Sequence, residues 1–378
     1  MTPADTPLAG IKVVELSHVL AGPLCGLMLA NLGAEVIKIE RPPRGDPQRR
    51  DVAATDRLGS DSASFFTLNR GKRSLLLDLK AEADAAQLWR LLAEADVLVE
   101  NYRLGVLDRF GFGYEAVKAR HPDLVYCSIS GFGSSGPWAE RGGFDLVAQA
   151  LSGIMTFTGP AGSRVPTKCG PPITDIMAGV LGALGVVAAL LRQGRGGGGD
   201  HVETSLLEAG VMFTYLQSAL ALASDVDASP MGSAHPLYAP YECYEASDGW
   251  IALGTANDTS WKRCLAVLDL PELAVDPRFA TTQARVGNRA DLFARLQEAL
   301  NQGRRDDWIE RLTTAGVPCG PVLTVKEMLV HPQVVARGMV EEAQHAELGT
   351  APCIGFPISF AEAEQPPLAP APLLDAKG

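Results

Sequence analysis

One carboxylate in this 378-residue chain has a setting that chemistry can use. Asp175 stands in "CGPPITDIMAGVLGALG", residues 169–185, at the head of a run of Gly, Ala and aliphatic side chains, with Lys168 and Arg192 the nearest basic residues. The local pattern reads first as a helix N-cap, because Asp follows Pro-Pro-Ile-Thr and an apolar helix begins at Ile176. Capping is compatible with reactivity: the positive end of a helix dipole keeps a carboxylate ionised and available as a nucleophile. Gly179, Gly182 and Gly185 recur at steps of three and leave one helix face open, to a ligand or to a packing neighbour.

Other chemistries have weaker footing. Histidines 18, 121, 201, 235, 331 and 345 contain no i,i+4 pair and no HExxH, so no metal site is read. "SISGFGSSG" is a glycine-rich turn without the spacing of a nucleophile elbow. The first strand-to-helix turn, "SHVLAGPLCG", lacks GxGxxG, which removes the pyrophosphate cradle of a nicotinamide or flavin enzyme. "GRGGGGD" has no following GK[ST] and reads as a flexible turn. Residues 1–73 hold ten Lys and Arg against eight Asp and Glu in a chain of net charge -11. Arg41, Arg70, Lys72 and Arg73, with Arg109 downstream, could bind a polyphosphate, although each taken singly reads as a solvated charge.

These residues need a scaffold, and the pattern supplies one. "IKVVEL" reads as a strand, "PLCGLMLANLG" as a helix ending at Gly33, and "AEVIKIE" as a second strand. "SLLLDLK", the helix "AEADAAQLWRLLAEA", "DVLVEN" and "LVYCSIS" continue the alternation. Such a sequence builds a parallel sheet covered on both faces, with ligands outside the carboxyl ends of the strands. That rule selects Ser17 to Val19, Glu40-Arg41, Asn101 to Arg103 and Gly131 to Gly133. Residues 224–240 form a connector, "YECYEASDGWIALGT" a hairpin opening a smaller α/β domain, and the Pro/Ala-rich tail from 361 lies along another surface.

Bulk properties narrow the class. The net charge opposes non-specific binding to nucleic acid or anionic lipid. Seven cysteines without a CxxC pair fit a reducing cytoplasm. The N-terminus has no basic segment leading into an apolar run. Ile176–Leu191 is shorter than the roughly 20 residues of a membrane span and holds three glycines, so it is expected as a buried helix.

From end to end the chain resembles the class III CoA-transferases of CaiB/BaiF type. That group includes formyl-CoA, carnitine and succinyl-CoA-dependent transferases and the α-methylacyl-CoA racemases. The resemblance is carried, in order, by "LAGIKVVELSHVLAGPLCGLMLANLGAEVIKIERPPRGD", "LNRGKRSLLLDLK", "DVLVENYRLGVLDRFG", "ISGFGSSGP", "GGFDLVAQALSGIMTFTG", "PITDIMAGVLGALG", "DPRFATTQARVGNRADL" and "AGVPCGPVLTVKEMLVHPQV". It implies a Rossmann-like large domain and a small α/β domain, with two copies threaded as an interlocked, ring-like homodimer. The expected divisions are a CoA-binding domain over 1–205, a connecting helix and linker over 206–235, the small domain over 236–325, and a returning segment over 326–378.

By the same resemblance, CoA or acyl-CoA is the substrate, with no metal and no nucleotide cofactor. His18, Val19, Leu20 and Ala21 would lie at the thioester arm, and Arg41 at the nucleotide end. Asn69, Lys72, Asn101, Arg103 and Arg109 would lie along CoA, and Asp175 would be the nucleophile. The implied reaction moves CoA from a donor such as succinyl-CoA to a carboxylic acid through an aspartyl anhydride and an aspartyl-CoA thioester. Arg164 or Lys168 could hold a distal carboxylate. Two departures stand out: Leu20 where the formyl-CoA enzyme carries glutamine, and "MGSAHPLYAP" in place of a glycine-rich loop. Phe144 replaces the histidine that racemases place before the aspartate of "GGFDLVAQ" and cannot carry a proton. An acyl-CoA racemase or isomerase, and a non-catalytic CoA-binding subunit, are the alternative expectations.

Overall fold

The computed structural model describes residues 5–50, 53–255, 257–367 and 369–374. It turns the alternating pattern into β1 (Lys12–Leu16), α1 (Ala21–Asn31), β2 (Glu35–Glu40), a two-strand ribbon of β3 (Arg57–Leu58) and β4 (Asp61–Ser62), α2 (Ala63–Asn69) and β5 (Lys72–Leu76). α3 (Glu82–Glu94), β6 (Val97–Glu100), α4 (Val106–Arg109), α5 (Tyr114–Arg120), β7 (Val125–Ser130), α6 (Asp145–Leu151), α7 (Ile154–Phe157), α8 (Ile173–Gly194), β8 (His201–Ser205), α9 (Leu206–Phe213) and α10 (Tyr215–Ser224) follow. β1, β2, β5, β6, β7 and β8 form one sheet in the order β5-β2-β1-β6-β7-β8, and every pairing is parallel. Counting only these strands, this is the doubly wound order 3-2-1-4-5-6, which reverses between β1 and β6.

Both faces of the sheet are covered, as the buried apolar residues on both sides of its central strands require. Val13, Val97, Val99, Val125 and Cys127 pack with α1 and α8 on one face. Val14, Leu16, Leu98 and Tyr126 pack with α3 and α5 on the other. The α8 glycines are packing surfaces: a Cβ at Gly179 would lie 2.6 Å from the Ala21 carbonyl oxygen, and one at Gly182 2.8 Å from Ile129 Cδ1. A Cβ at Gly185 would collide with Val202. α8 starts three residues earlier than the sequence suggests and is long and apolar enough, by length and composition, to cross a membrane. Its small-residue face is buried in this packing, while Leu184 and Leu191 are exposed.

By internal contacts the chain divides into two units. The larger runs to Met155, resumes over Lys168–Val226, and takes up the chain again from Pro332; the smaller comprises Thr156–Thr167 and Asp227–His331. α9 and α10, expected as part of a connector, therefore belong with the larger unit, because α9 packs on α8 and α6. The returning segment adds α16 (Pro332–Ala336) and the hairpin β12 (Val340–His345) and β13 (Gly349–Ile354), numbered after the smaller unit's elements. Its tail lies on the same unit, where Pro370 O accepts from Gly71 N. In the smaller unit, β9 (Tyr241–Ala246), β10 (Gly249–Gly254) and β11 (Cys319–Pro321) make an antiparallel sheet. α11 (Asp258–Leu268), α12 (Thr282–Gly287), α13 (Arg289–Leu300), α14 (Arg305–Thr314) and α15 (Val325–Leu329) complete it. Tyr244, Ile251, Leu253, Trp261, Leu296 and Leu312 form its core.

Arg49 fixes the loop after β2. It is fully buried, reaches Glu40 through Nε at 2.8 Å and Nη2 at 2.7 Å, pairs with Asp61 through Nη1 at 2.7 Å, and donates to Pro372 O at 3.1 Å. Removing one partner of such a buried cluster leaves a desolvated charge unmatched. Arg49→Met is therefore expected to lower unfolding free energy by about 3–5 kcal/mol, and a change under about 1 kcal/mol in urea unfolding, the median worth of a surface pair, would refute the role given to this cluster.

Candidate active site

At the reversal point the chain leaves β1 through Ser17–Leu20, and this turn is clamped residue by residue. Lys38 Nζ donates to Ser17 O at 2.8 Å. Asn101, just beyond β6, accepts from His18 N at 3.0 Å and donates to His18 O at 2.8 Å. Asp46 Oδ1 accepts from Val19 N at 3.2 Å. The clamps hold Val19 at φ +67°, in the left-handed region that β-branched residues avoid. A strained non-glycine residue at a strand end marks a place where backbone direction matters more than local comfort. α1 then starts at Ala21 with Leu20 as an N-cap that makes no side-chain capping bond.

Behind the turn lies a lattice of buried charge. Lys38 Nζ meets Glu15 Oε1 and Asp46 Oδ2, both at 3.0 Å, and Lys72 Nζ meets Glu15 Oε2 at 2.7 Å. Burial pushes Glu15 up, but the two ammonium groups outweigh it and hold the carboxyl below its usual range. Burial alone would depress Lys38; Glu15, Asp46 and Glu40 instead raise it above an ordinary lysine. For Lys72 burial prevails and draws it down to about 8. Lys72 also donates to Pro23 O and to Asn69 Oδ1, and Asn69 is itself buried.

Of the residues expected along CoA, the structure gathers His18, Arg41 and the Ser17 turn around one cleft of about 440 Å³. Arg44, Arg50 and Tyr102 complete its polar wall. Arg41, Arg44 and Arg50 are exposed, and none pairs with a described carboxylate within 4 Å. His18 packs against the Tyr102 ring at 5.4 Å, and burial holds its imidazole below the usual pKa, so it is neutral at pH 7. Asn69 and Lys72 are placed differently: they sit inside the lattice, with their polar atoms engaged by the protein. Arg70 is buried too and donates to Cys353 Sγ and Ile354 O. Arg73 is exposed and paired with Glu35. The sequence's basic cluster is thus not one patch. Arg103, its guanidinium against Gly142, and Arg109, at the end of α4, are exposed beyond β6.

Asp175 lies at the third position of α8, not at its cap, and Pro172 precedes the helix without a side-chain capping bond. The carboxylate that serves this helix end comes from α6. Asp145 Oδ1 accepts from Thr174 N at 3.0 Å and Thr174 Oγ1 at 2.8 Å, and its Oδ2 accepts from Gln149 Nε2 at 2.7 Å. Gln149 in turn accepts from Cys169 N at 2.8 Å, which fixes the approach to α8. The helices also explain why Asp175 and the turn share one edge of the sheet. Gly179 abuts Ala21, and one turn later Gly182 abuts Cys25 and Ile129, so α1 and α8 run side by side in the same direction. Their amino ends, carrying Leu20 and Asp175, therefore open at the same edge of the sheet.

The helix dipole does not keep Asp175 an ordinary carboxylate. Burial first, and the Asp145 charge second, push it up to about 7. Lys168, a candidate for a distal carboxylate, turns back onto Cys169 O and Gly170 O, and Arg164 belongs to the smaller unit. Phe144 is 71% exposed at the amino end of α6. Among the described residues, no group of three or more His, Cys, Asp or Glu could hold a metal ion.

Sequence reasoning missed Asp46, Lys38, Glu15 and Glu100 as site builders. Glu100, the last residue of β6, accepts from Tyr102 N at 2.8 Å and so shapes the turn holding Asn101. Burial pushes it up to about 7. The available signal was charge inside apolar strands, "VVEL", "VIKIE" and "VLVE", in a sheet covered on both faces.

The family model for "CoA-transferase family III" matches residues 8–377. A succinate–glutarate CoA-transferase of Agrobacterium fabrum is 36% identical over 361 residues, covering 94% of this chain and 90% of that protein. An acetyl-CoA:oxalate CoA-transferase of Acetobacter aceti is 38% identical over 384 residues, covering 100% and 96%. Among solved structures, a CAIB/BAIF family protein from Brucella suis superposes with a TM-score of 0.87 at 41% identity, covering 98% of this chain and 97% of that one.

The raised Asp175 pKa has a consequence for stability. A carboxyl near 7 in the fold and near 3.8 when unfolded binds more protons folded than unfolded between those values, so its contribution falls as pH rises through that window. Asp175→Asn lacks the penalty. Its thermal midpoint should exceed the parent's at pH 8 and converge on it at pH 4, whereas a constant offset across the range would contradict the burial argument.

Proposed function

The chain belongs to CoA-transferase family III and is a CoA-transferase; from that premise we propose that Asp175 carries CoA between two acids through covalent intermediates. A carboxylate oxygen of Asp175 attacks the donor thioester carbonyl, the C–S bond breaks, and a mixed anhydride and CoA thiolate result. The thiolate attacks the Asp175 carbonyl and releases the donor acid as a carboxylate, leaving an aspartyl-CoA thioester. The acceptor carboxylate attacks that thioester and releases the thiolate, which then attacks the acceptor's acyl carbon and frees Asp175. Protons balance at every step, and the thioester's energy is carried through, so neither ATP nor a metal is required.

The observation that carries this reading is a half-buried carboxylate at the head of α8, on the same edge of a doubly wound sheet as the rigid turn after β1. Asp175 is half-buried in the single chain, and bound CoA with a partner copy would exclude the water that hydrolyses an anhydride or thioester. The cleft's Arg41, with Arg44 and Arg50, suits the phosphates of CoA, and the turn at His18–Ala21 suits its thioester arm. Leu20 supplies no polar side chain, so the oxyanion falls to the uncapped N–H groups of the first turn of α1. Asn101, Arg103 and Arg109 border the same strand end, and Asn69 and Lys72 support the site from within. The similarity to a succinate–glutarate CoA-transferase favours a small dicarboxylic acid such as succinate on one side of the exchange.

The active form we propose is the interlocked homodimer. The chain passes to the smaller unit and back twice, and the larger unit exposes apolar side chains on adjoining helices: Leu184, Leu191, Val211, Met212, Tyr215 at 84% and Leu222 at 90%. Seven free thiols support a cytoplasmic setting.

Trypsin releases residues 169–192 as a peptide whose only acidic side chain is Asp175. Borohydride added during turnover should reduce an aspartyl-CoA thioester to an alcohol and shift that peptide's mass, and Asp175→Asn should lose turnover by more than about 10³-fold. An unshifted peptide with an actively transferred donor would sink the covalent route. The acid limb of kcat/KM should lie near pH 7, where the free enzyme's Asp175 ionises, and move to lower pH in Asp145→Asn; a limb that stays in place would remove Asp145 as a cause.

A further inference from the structure

We infer that Asp46 is a positioning residue that couples the phosphate-facing loop Arg41–Arg50 to the thioester-facing turn Ser17–Leu20, so that occupying the loop with the nucleotide end of CoA sets the geometry of the turn. The inference rests on the CoA-transfer reading above. It does not follow from that reading, which needs only that both segments touch the same ligand.

Asp46 is buried, yet it lines the cleft with Arg41, Arg44 and Arg50 of the same loop. Each of its polar groups faces a different structure. Its N–H donates to Glu40 Oε2 at 2.8 Å, an oxygen shared with Arg49 Nε. Its Oδ1 accepts from Gln48 N at 2.9 Å, which shapes the loop, and from Val19 N at 3.2 Å, which shapes the turn. Its Oδ2 lies 3.0 Å from Lys38 Nζ, and Lys38 holds Ser17 O. One carboxylate thus reaches the turn by two routes, directly at Val19 and through Lys38 at Ser17. Among the described residues, its side chain is the hydrogen-bond link between loop and turn.

A purely structural ion pair would not need this arrangement. Glu15 is shared with Lys72, so charge balance places Asp46 Oδ2 beside Lys38, but it does not require Asp46 Oδ1 to reach Val19 N. The Val19 contact holds a β-branched residue in a left-handed conformation, which persists only where the surroundings over-determine it. A loop displaced by an empty or truncated ligand would loosen that hold, relax Val19, and turn the first α1 amides away from the reacting carbonyl. Remote binding at the phosphates would then be expressed in kcat, not only in KM.

The test compares two donors bearing the same acyl group, an acyl-CoA that the parent enzyme uses and the matching acyl-pantetheine, which lacks the nucleotide. The parent should lose kcat on truncation by about tenfold or more. Asp46→Asn keeps the side chain's shape but sets an amide N–H against Lys38. It should lower kcat with acyl-CoA by about 10–100-fold, the scale of a misplaced reacting group, leave KM within about threefold, and bring the acyl-CoA to acyl-pantetheine kcat ratio near one. A variant that lowers kcat equally for both donors, or keeps the parent's ratio, overturns the coupling. Should Asp46→Asn fail to fold by circular dichroism, Asp46→Glu, which keeps the charge and displaces it by one methylene, is judged by the same ratio. A parent that transfers CoA from no donor defeats the functional reading; an active parent with an unchanged variant ratio defeats only this inference.

Discussion

A charge removed from water must be matched where it lies, and the larger unit is arranged around that requirement. Lys38 sits in the second strand of a sheet buried on both faces, with no exposure to solvent. Its ammonium group meets Glu15, Asp46 and the Ser17 carbonyl, and Glu15 is completed by Lys72. Such a lattice is an inefficient source of stability, since well-packed apolar residues can serve as well. It buys direction instead. Apolar side chains could fill the same volume, but they could not hold a backbone carbonyl and a backbone N–H of the adjoining turn.

Asp175 is the counterpart, a half-buried charge that the fold leaves unmatched. Its neighbour Asp145 is committed to Thr174 and Gln149 and faces it with the same sign. The same unit therefore contains one buried cluster with every charge compensated and one carboxylate with its charge opposed. The first makes a rigid turn, and the second holds the carboxyl well above its ordinary pKa. They meet because three glycines let α8 lie against α1, β7 and β8 at distances no other residue allows.

Much of this was legible in the residues, and the parts that were not share a cause. Periodicity located five of the six sheet strands as short apolar runs with a turn behind them, whereas β8, "HVETS", holds a single apolar residue. The residues at strand ends followed from topology. Helix ends were less clear: Thr174 and Asp175 look alike as caps, and only the fold shows that Asp145, 29 positions away along the chain, takes the capping hydrogen bonds. The basic cluster was misread for a related reason. Arg41 faces a cleft, whereas Arg70 and Lys72 face inward, and side-chain direction at a strand's start depends on partners such as Glu15 and Cys353 that lie far off in sequence. Charge inside an apolar strand was the one local sign of a buried lattice, and it says that a partner exists without saying which.

A carboxylate is ordinarily a feeble nucleophile, and its low basicity is the reason. Raising the pKa toward the working pH makes each ionised copy of Asp175 more nucleophilic, while only about half the population is lost to protonation when pH and pKa coincide. The gain requires withholding cations, because a lysine or arginine beside Asp175 would restore the ordinary pKa and return the group to inertness. That requirement accounts for arginines standing in the cleft of the β1 turn, the place proposed for the phosphates of CoA. The surroundings of Asp175 supply instead apolar bulk, glycine and a second carboxylate. The separation of positive charge from Asp175 is thus a condition of the covalent route proposed for it, and the parallel sheet provides it by opening one edge onto two different loops.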